Sequence, residues 1–184
     1  SSYSHRFDEV ILSLPKGRKL QAITVSANRG QTTIINASLE NATLNTNGYL
    51  LRIEGSRIKN SKFTTPNIIN IFKTELTDSQ VKTEGRHLHV EDIQIHGKVE
   101  LDSHNDLTLF LSKTEFDRIN LDISSKHGGI YRKAQREHPR QKENELANPY
   151  KTEKADVKDL LIIKANQDIY LPKEEEYSAP PRNH

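Results

Sequence analysis

The chain contains no cysteine, no methionine and no tryptophan. Lack of cysteine excludes disulfide frameworks, cysteine nucleophiles and thiolate metal sites, and leaves the redox compartment open. Lack of methionine extends to position 1, where the sequence begins SSYSHRF. That reads as a processed or excised chain, with room for an anchor or targeting segment outside these residues. No apolar run approaches the roughly 20 residues a membrane-crossing helix requires, and no signal peptide is visible. A net charge of +2 over 184 residues is too small to imply a nucleic-acid partner. Hydrophobic residues make up only 33% of the chain and aromatics 6%, a composition that in a conventional globular domain points towards disorder.

What the chain has instead is a repeat. The stretch LENATLNT at 39–46 recurs about seven times, with anchors at Val25, Leu44, Phe63, Val81, Leu101, Ile123 and Ile163, mostly 18 to 22 residues apart with one step of 40. Two residues after each anchor the side chain is small: Ala27, Thr46, Thr65, Thr83, Ser103, Ser125 and Ala165. Two residues before it stand Ile23, Ala42, Ser61, Ser79, Val99, Leu121 and Leu161, so each repeat carries three same-face positions of a strand. Five to seven residues before each anchor lies another apolar residue: Leu20, Leu39, Ile58, Leu76, Ile95, Phe116 or Val157. Self-similarity at this period marks a solenoid, whose coils bury their apolar faces only by stacking. A solenoid core is one side chain deep per coil and accepts Ser, Thr and Ala at its corners, which reconciles order with low hydrophobicity.

The expected architecture is an all-β, parallel β-solenoid (a single-stranded β-helix) of about seven coils stacked in chain order, one domain over 7–173. Two short strands per coil give a narrow, flattened cross-section with two main sheets. Residues 7–14, FDEVILSL, read as a capping strand closed by the turn at 15–17. Gly and Asn in the turns at 27–30, 46–48, 83–85 and 125–129 suggest positions that need positive φ. Residues 133–153, with Pro139, Pro149 and few large apolar residues except Leu146 and Tyr150, read as a polar, basic loop inserted before the last coil. Residues 131–158 hold eight Lys or Arg against five Asp or Glu. Residues 1–6 and 174–184 read as flexible ends.

Candidate chemistry is sparse. Glu100, Asp102 and Asp122 flank the anchors of what the sequence makes adjacent coils, at outward positions, and coils spaced ~4.8 Å apart could bring the carboxylates together for Ca²⁺ or for acid/base work on a polysaccharide. The competing view is a solvated face neutralised by Lys82 and Lys98. His87 and His89 alternate with Leu88 and Val90, so both imidazoles point outward, while His96 and His104 fall in other turns and complete no ligand set. Stacked Ser and Thr at the corners are explained by bonds to turn backbone. The sequons Asn36-Ala37-Ser38 and Asn41-Ala42-Thr43 are short motifs that arise by chance. No phosphate loop, nucleophile elbow or zinc motif occurs. No catalytic, cofactor-binding or metal-ligating residue is assigned, and no cofactor is expected.

The stretches FDEVILSLPKGRKLQAITVSANRG, ASLENATLNTNGYLLRIEG and LTLFLSKTEFDRINLDISSKHGGI together resemble the bacterial adhesin-like family of β-strand-repeat domains over residues 7–132, and the coil at 157–173 is compatible with it. Leu14-Pro15 and the turn at 125–129 match the family pattern; Leu111-Ser112 stands where a second Leu-Pro is common. The resemblance implies a cell-envelope protein at the extracytoplasmic face of a bacterial membrane, anchored, if at all, from outside this domain. It carries over no binding residues. The function expected first is a non-enzymatic surface or envelope-associated interaction module, a monomer or weak dimer, whose partner is an envelope polymer or another protein. The alternatives are a self-assembling structural β-helix and a polysaccharide-active enzyme built on the acidic trio.

Overall fold

The structure, a computed structural model, describes residues 2–4, 9–13, 20–21, 24–26, 30–46, 48–132 and 144–173. Each regular coil has three sides, seen in the strands Leu50–Glu54, Arg57–Lys59 and Lys62–Thr65. In the next two coils the first and second sides run together through the corner as Ile68–Thr77 and Leu88–His96. First and second sides therefore share one 12-stranded sheet, and the third side forms a separate 7-stranded sheet. Two main sheets were expected and are present, but two strands per coil is corrected to three. The row Leu39, Ile58, Leu76 and Ile95 is the inward row of the second side, each residue at most 2% exposed.

Stacking is parallel and in register. Leu44 pairs with Phe63, Phe63 with Val81 and Val81 with Leu101 on the third side, while Ile53, Ile71, Val90 and Leu109 align on the first. All of these are buried in one continuous core. Val25 is different: its strand, Thr24–Ser26, pairs with Ser2–Ser4 in a two-stranded sheet of its own. Glu9–Ser13, the core of the expected capping strand, lies parallel to Gln31–Ile35 at one extreme of the 12-stranded sheet.

Corners are the demanding places, because a three-sided coil must turn its backbone beside an apolar core without orphaning N–H and C=O groups. Positive φ falls at Asn36, Gly55, Lys73 and Asp92 between first and second sides, and at Asn41, Asn60, Asp78 and Gly97 between second and third. Behind these residues comes an inward hydroxyl. Ser56 Oγ donates to the Glu54 carbonyl (3.0 Å) and accepts the Ala37 N–H of the preceding coil (3.1 Å). Thr74 repeats this with the Phe72 carbonyl and Ser56 N–H, Ser61 with Lys59 and Ala42, and Ser79 with Thr77 and Ser61. At the third corner Thr46, Thr65 and Thr83 are 1% exposed, and Thr46 and Thr65 accept the N–H groups of Gly48 and Asn67. Glycine at that corner answers to φ at Gly30, as expected, but to space at Gly48 and Gly85. A Cβ on Gly48 or Gly85 would collide with the carbonyl oxygen of Gly30 or Pro66 one coil away, and of the described glycines there only Gly30 has positive φ.

Beyond the Leu101 coil, order in the sequence and order in space part. Leu160–Ala165 pairs with Lys98–Ser103 on one edge (Leu101 with Ile163) and with Asn120–Ser125 on the other (Ile123 with Ile163). Ile169–Tyr170 likewise lies between Leu107–Phe110 and Ile130–Tyr131. The last coil of the chain is thus slotted between the Leu101 and Ile123 coils. The expected run of about seven successive coils is corrected to four, anchored at Leu44, Phe63, Val81 and Leu101, stacked in chain order, followed by a crossed pair.

Helix α1 (Lys113–Arg118) lets the chain step over that rung. Ser112 caps it, accepting the Glu115 N–H at 3.1 Å. Its side chains then finish the second side: Glu115 Oε2 accepts the Ile95 N–H (3.2 Å) and Arg118 Nη2 donates to the Ile95 carbonyl (2.6 Å), the two bonds another strand would have made. Phe116 and Val157 were expected to continue the second-side row and do not. Phe116 packs half-buried on the core from the helix, and Val157 lies in the linker to the last coil. Of the expected loop at 133–153, residues 133–143 lie outside the described residues and the rest is a cover. Glu145–Leu146 and Tyr150–Lys151 pair antiparallel with the outermost strands, and Leu146 and Tyr150 pack on the core.

The linker 152–159 is fastened at three points. Lys154 Nζ donates to the carbonyls of Phe116, Asp117 and Ile119 at the C-terminal end of α1, where the helix dipole favours a cation. Asn120 accepts the Lys154 N–H (2.7 Å) and donates to the Val157 carbonyl (3.1 Å). Asp159 accepts the Gly97 N–H (2.8 Å) and pairs with Arg118, which also holds Glu115 at 2.8 Å. Partial burial works to raise the Asp159 carboxyl, but the bonds from Gly97 and Arg118 outweigh it and hold the group below its ordinary value.

Two expectations follow. Phe63→Ala removes a ring 1% exposed at the centre of the anchor row and should lower unfolding free energy by about 3–5 kcal/mol in chemical denaturation. Because the folded-state value of Asp159 is depressed, its contribution is complete above the ordinary carboxylate value of about 3.9 and is lost as pH falls through the folded value. Asp159→Asn should therefore destabilise at neutral pH and flatten the acid limb of a stability-against-pH curve; an unchanged limb would show that the pair is not coupled to folding.

Candidate interaction faces

The acidic trio sits on the outer face of the third side, and the crossed coil takes it apart. Glu100 and Asp122 both register against Ile162, so an entire strand stands between them. Glu100 accepts from Gln80 Nε2 (2.6 Å) and pairs with Lys164 (3.1 Å), a residue of the intervening strand. Burial works to raise the Glu100 carboxyl, but the bonds from Gln80 and Lys164 and the charges of Lys164 and Lys98 together hold it below its ordinary value. Asp102 lies between Lys82 and Lys164 in the register, and partial burial lifts it, opposed by those two lysines and reinforced by Glu100. Asp122 faces Lys151 at 3.9 Å. Lys82, Asp102 and Lys164 alternate in sign along one row of this face, while Glu100 and Asp122 are paired with Lys164 and Lys151.

His87 and His89 do point outward from the first side, as the alternation requires, but they do different things. His87 is exposed. His89 is half-buried, its Nε2 2.8 Å from Glu91 Oε1, and its ring lies between Phe72 and Phe110 with centroids 6.0 and 5.6 Å away. Arg52 extends the row, its guanidinium 4.9 Å from the centre of the Phe72 ring. Four successive coils thus contribute one member each to a zigzag of Arg52, Phe72, His89 and Phe110. Sequence reasoning found the histidines and missed Phe72 and Phe110. The signal was there: in Ile69-Asn70-Ile71-Phe72 and Leu107-Thr108-Leu109-Phe110 the aromatic holds the outward phase beside buried aliphatics. His96 bonds Glu75 at 3.0 Å on the second side, and His104 Nδ1 stands 3.5 Å from Asn166. Among the described residues no three His, Asp or Glu side chains gather as a metal site.

On the second side, short strands between two left-handed corners leave shallow depressions on either side of the Arg57–Glu75 pair (3.1 Å), with volumes of about 280 and 230 Å³. They are lined by both charges: Lys73, Asp92 and Gln94 in one, Glu40 and Lys59 in the other. The sequon asparagines Asn36 and Asn41 occupy left-handed corners, and Asn41 Oδ1 accepts from Asn60 Nδ2 at 2.5 Å, so both have backbone work to do.

This is a parallel β-solenoid with flat outer faces and one end covered by antiparallel segments, and it belongs to a recognised family. The family model Toastrack DUF4097 matches residues 2–171, and the chain is a member of the Toastrack DUF4097 family. No curated protein and no solved structure matches the chain. Membership agrees with the expected β-repeat fold.

Replacement of Glu100 and Asp122 by the corresponding amides, together with Asp102→Asn, should leave the fold intact. The pairs are surface pairs, so the change in stability should stay within about 1 kcal/mol. A large loss measured by denaturation would reveal a structural ion on that face.

Proposed function

We propose that this domain is a non-enzymatic interaction module at the extracytoplasmic face of a bacterial cell envelope, adhesin-like in that it holds an envelope polymer against a flat solenoid face. The observation that carries the reading is the Arg52–Phe72–His89–Phe110 row. Flat rings repeated coil by coil, bordered by Glu54, Asn70 and Glu91, offer stacking surfaces and hydrogen-bonding groups at regular spacing, which suits an extended polymer with a repeating unit. The rigidity of the parallel ladders beneath keeps that spacing without cost on binding.

Two other readings are weaker. A polysaccharide-active site would need paired carboxylates, and the trio is split by the Leu160–Ala165 strand. An end-to-end filament would need an open outermost coil, and that coil is covered by Glu145–Leu146 and Tyr150–Lys151 running antiparallel.

The double variant Phe72→Ala, Phe110→Ala tests the reading against purified cell-wall polysaccharide immobilised on a surface. Both rings are only half-buried, so the domain should still melt cooperatively while binding falls roughly tenfold or more. Undiminished binding by the folded variant would remove the first-side face from consideration.

A further inference from the structure

We propose that the slot between the Leu101 and Ile123 coils can receive the last coil of a second copy of this chain, giving a reciprocally exchanged dimer. The inference rests on the crossed topology and not on the functional reading above. Among the described strands Asn120–Ser125 has no ladder to Lys98–Ser103, and Ile130–Tyr131 has none to Leu107–Phe110; each pair is separated by a strand of the last coil, Leu160–Ala165 or Ile169–Tyr170, that is hydrogen-bonded to both. A chain that has folded as far as residue 151 therefore holds an unfilled rung, with two parallel edges waiting for a strand synthesised after both.

The slot is specific for that strand. Inward, it seats Leu161, Ile163 and Ala165 between Val99, Leu101 and Ser103 on one side and Leu121, Ile123 and Ser125 on the other. Outward, Lys164 completes the ion pair with Glu100. Every one of these contacts is available in the same form to the same residues arriving from another copy, so the choice between the two is made by the connection alone. That connection is the stretch 152–159, which can span up to about 26 Å when extended. In the closed form it is bent around Asn120 and clipped by Lys154 to the end of α1. The clip is the contact that closure makes and an extended linker gives up. Closure wins at low concentration through the high effective concentration of a tethered strand, and exchange gains as the chain concentration approaches that value.

The absence of cysteine from the chain makes the test clean. One full-length chain carries Asp102→Cys and another Lys164→Cys, outward residues that are register partners. The two are unfolded, mixed and refolded at micromolar and at near-millimolar concentration, then treated with a short thiol cross-linker. A single chain carrying both substitutions shows that the pair is within reach by closing on itself. Exchange predicts a cross-linked dimer of the two different chains whose yield rises at least about fivefold with concentration. It also predicts that Lys154→Ala, which removes the clip and leaves the slot untouched, raises the yield further. Monomer alone at both concentrations, a dimer that does not cross-link between positions 102 and 164, or a yield indifferent to Lys154→Ala would each overturn the proposal.

Discussion

The corner hydroxyl is the interaction on which the rest of this structure depends. A coil of about 19 residues that closes three sides must bend its backbone at short intervals against an apolar interior, where each unpartnered N–H or C=O would cost about 1–3 kcal/mol. Ser56, Ser61, Thr74 and Ser79 meet the need twice over, donating within their own coil and accepting from the coil before. The same bond that closes a corner also sets the register of the next rung. Inward Leu, Ile and Val then stack in rows because the corners hold them there, which is why a chain poor in hydrophobic residues still has a continuous core.

A parallel array solves its interior by repetition but leaves two ends and one seam. The seam arises where the second side stops at Ile95, and Glu115 and Arg118 supply the donor and acceptor that a further strand would have provided. The outermost coil is closed by antiparallel segments instead, which break the parallel rule and so present no edge for another solenoid to continue. Crossing the last two coils ties the C-terminal region together more tightly than simple succession would. In an ordinary repeat array the last coil can fray alone; here the Ile163 coil cannot leave without stranding the Ile123 coil.

The three faces then differ in what remains for other molecules. On the third side, Gln80, Lys164 and Lys151 engage Glu100 and Asp122. The second side offers shallow, mixed-charge depressions around Arg57 and Glu75. Aromatic rings align in the outward phase on the first side, where the in-register strands Ile68–Thr77, Leu88–His96 and Leu107–Phe110 present them together. That contrast gives the proposed interaction role a face.

Period and phase were legible in the sequence. The 18-to-22-residue spacing, the apolar triplets around Leu44, Phe63 and Val81, and the small residues after each anchor determined a parallel solenoid and named its inward row, because side-chain alternation along a strand is a local property of the chain. Small residues after each anchor, such as Thr46 and Thr65, announced the third corner for the same reason, whereas Ser61 and Ser79, read as strand positions, turned out to stand at the corner between second and third sides. Which coil neighbours which was beyond the sequence. The Ile163 coil carries the same pattern as every other, so no local signal distinguishes the end of the stack from a slot within it; that was decided by α1, whose Glu115 and Arg118 close the second side, and by Lys154 and Asp159, which fasten the return. The acidic trio fell with that decision, since Glu100 and Asp122 are neighbours only if coils stack in chain order. Tertiary structure alone chose the partners of each strand, because a ladder hydrogen bond depends on which edges meet in space and not on what lies next along the chain.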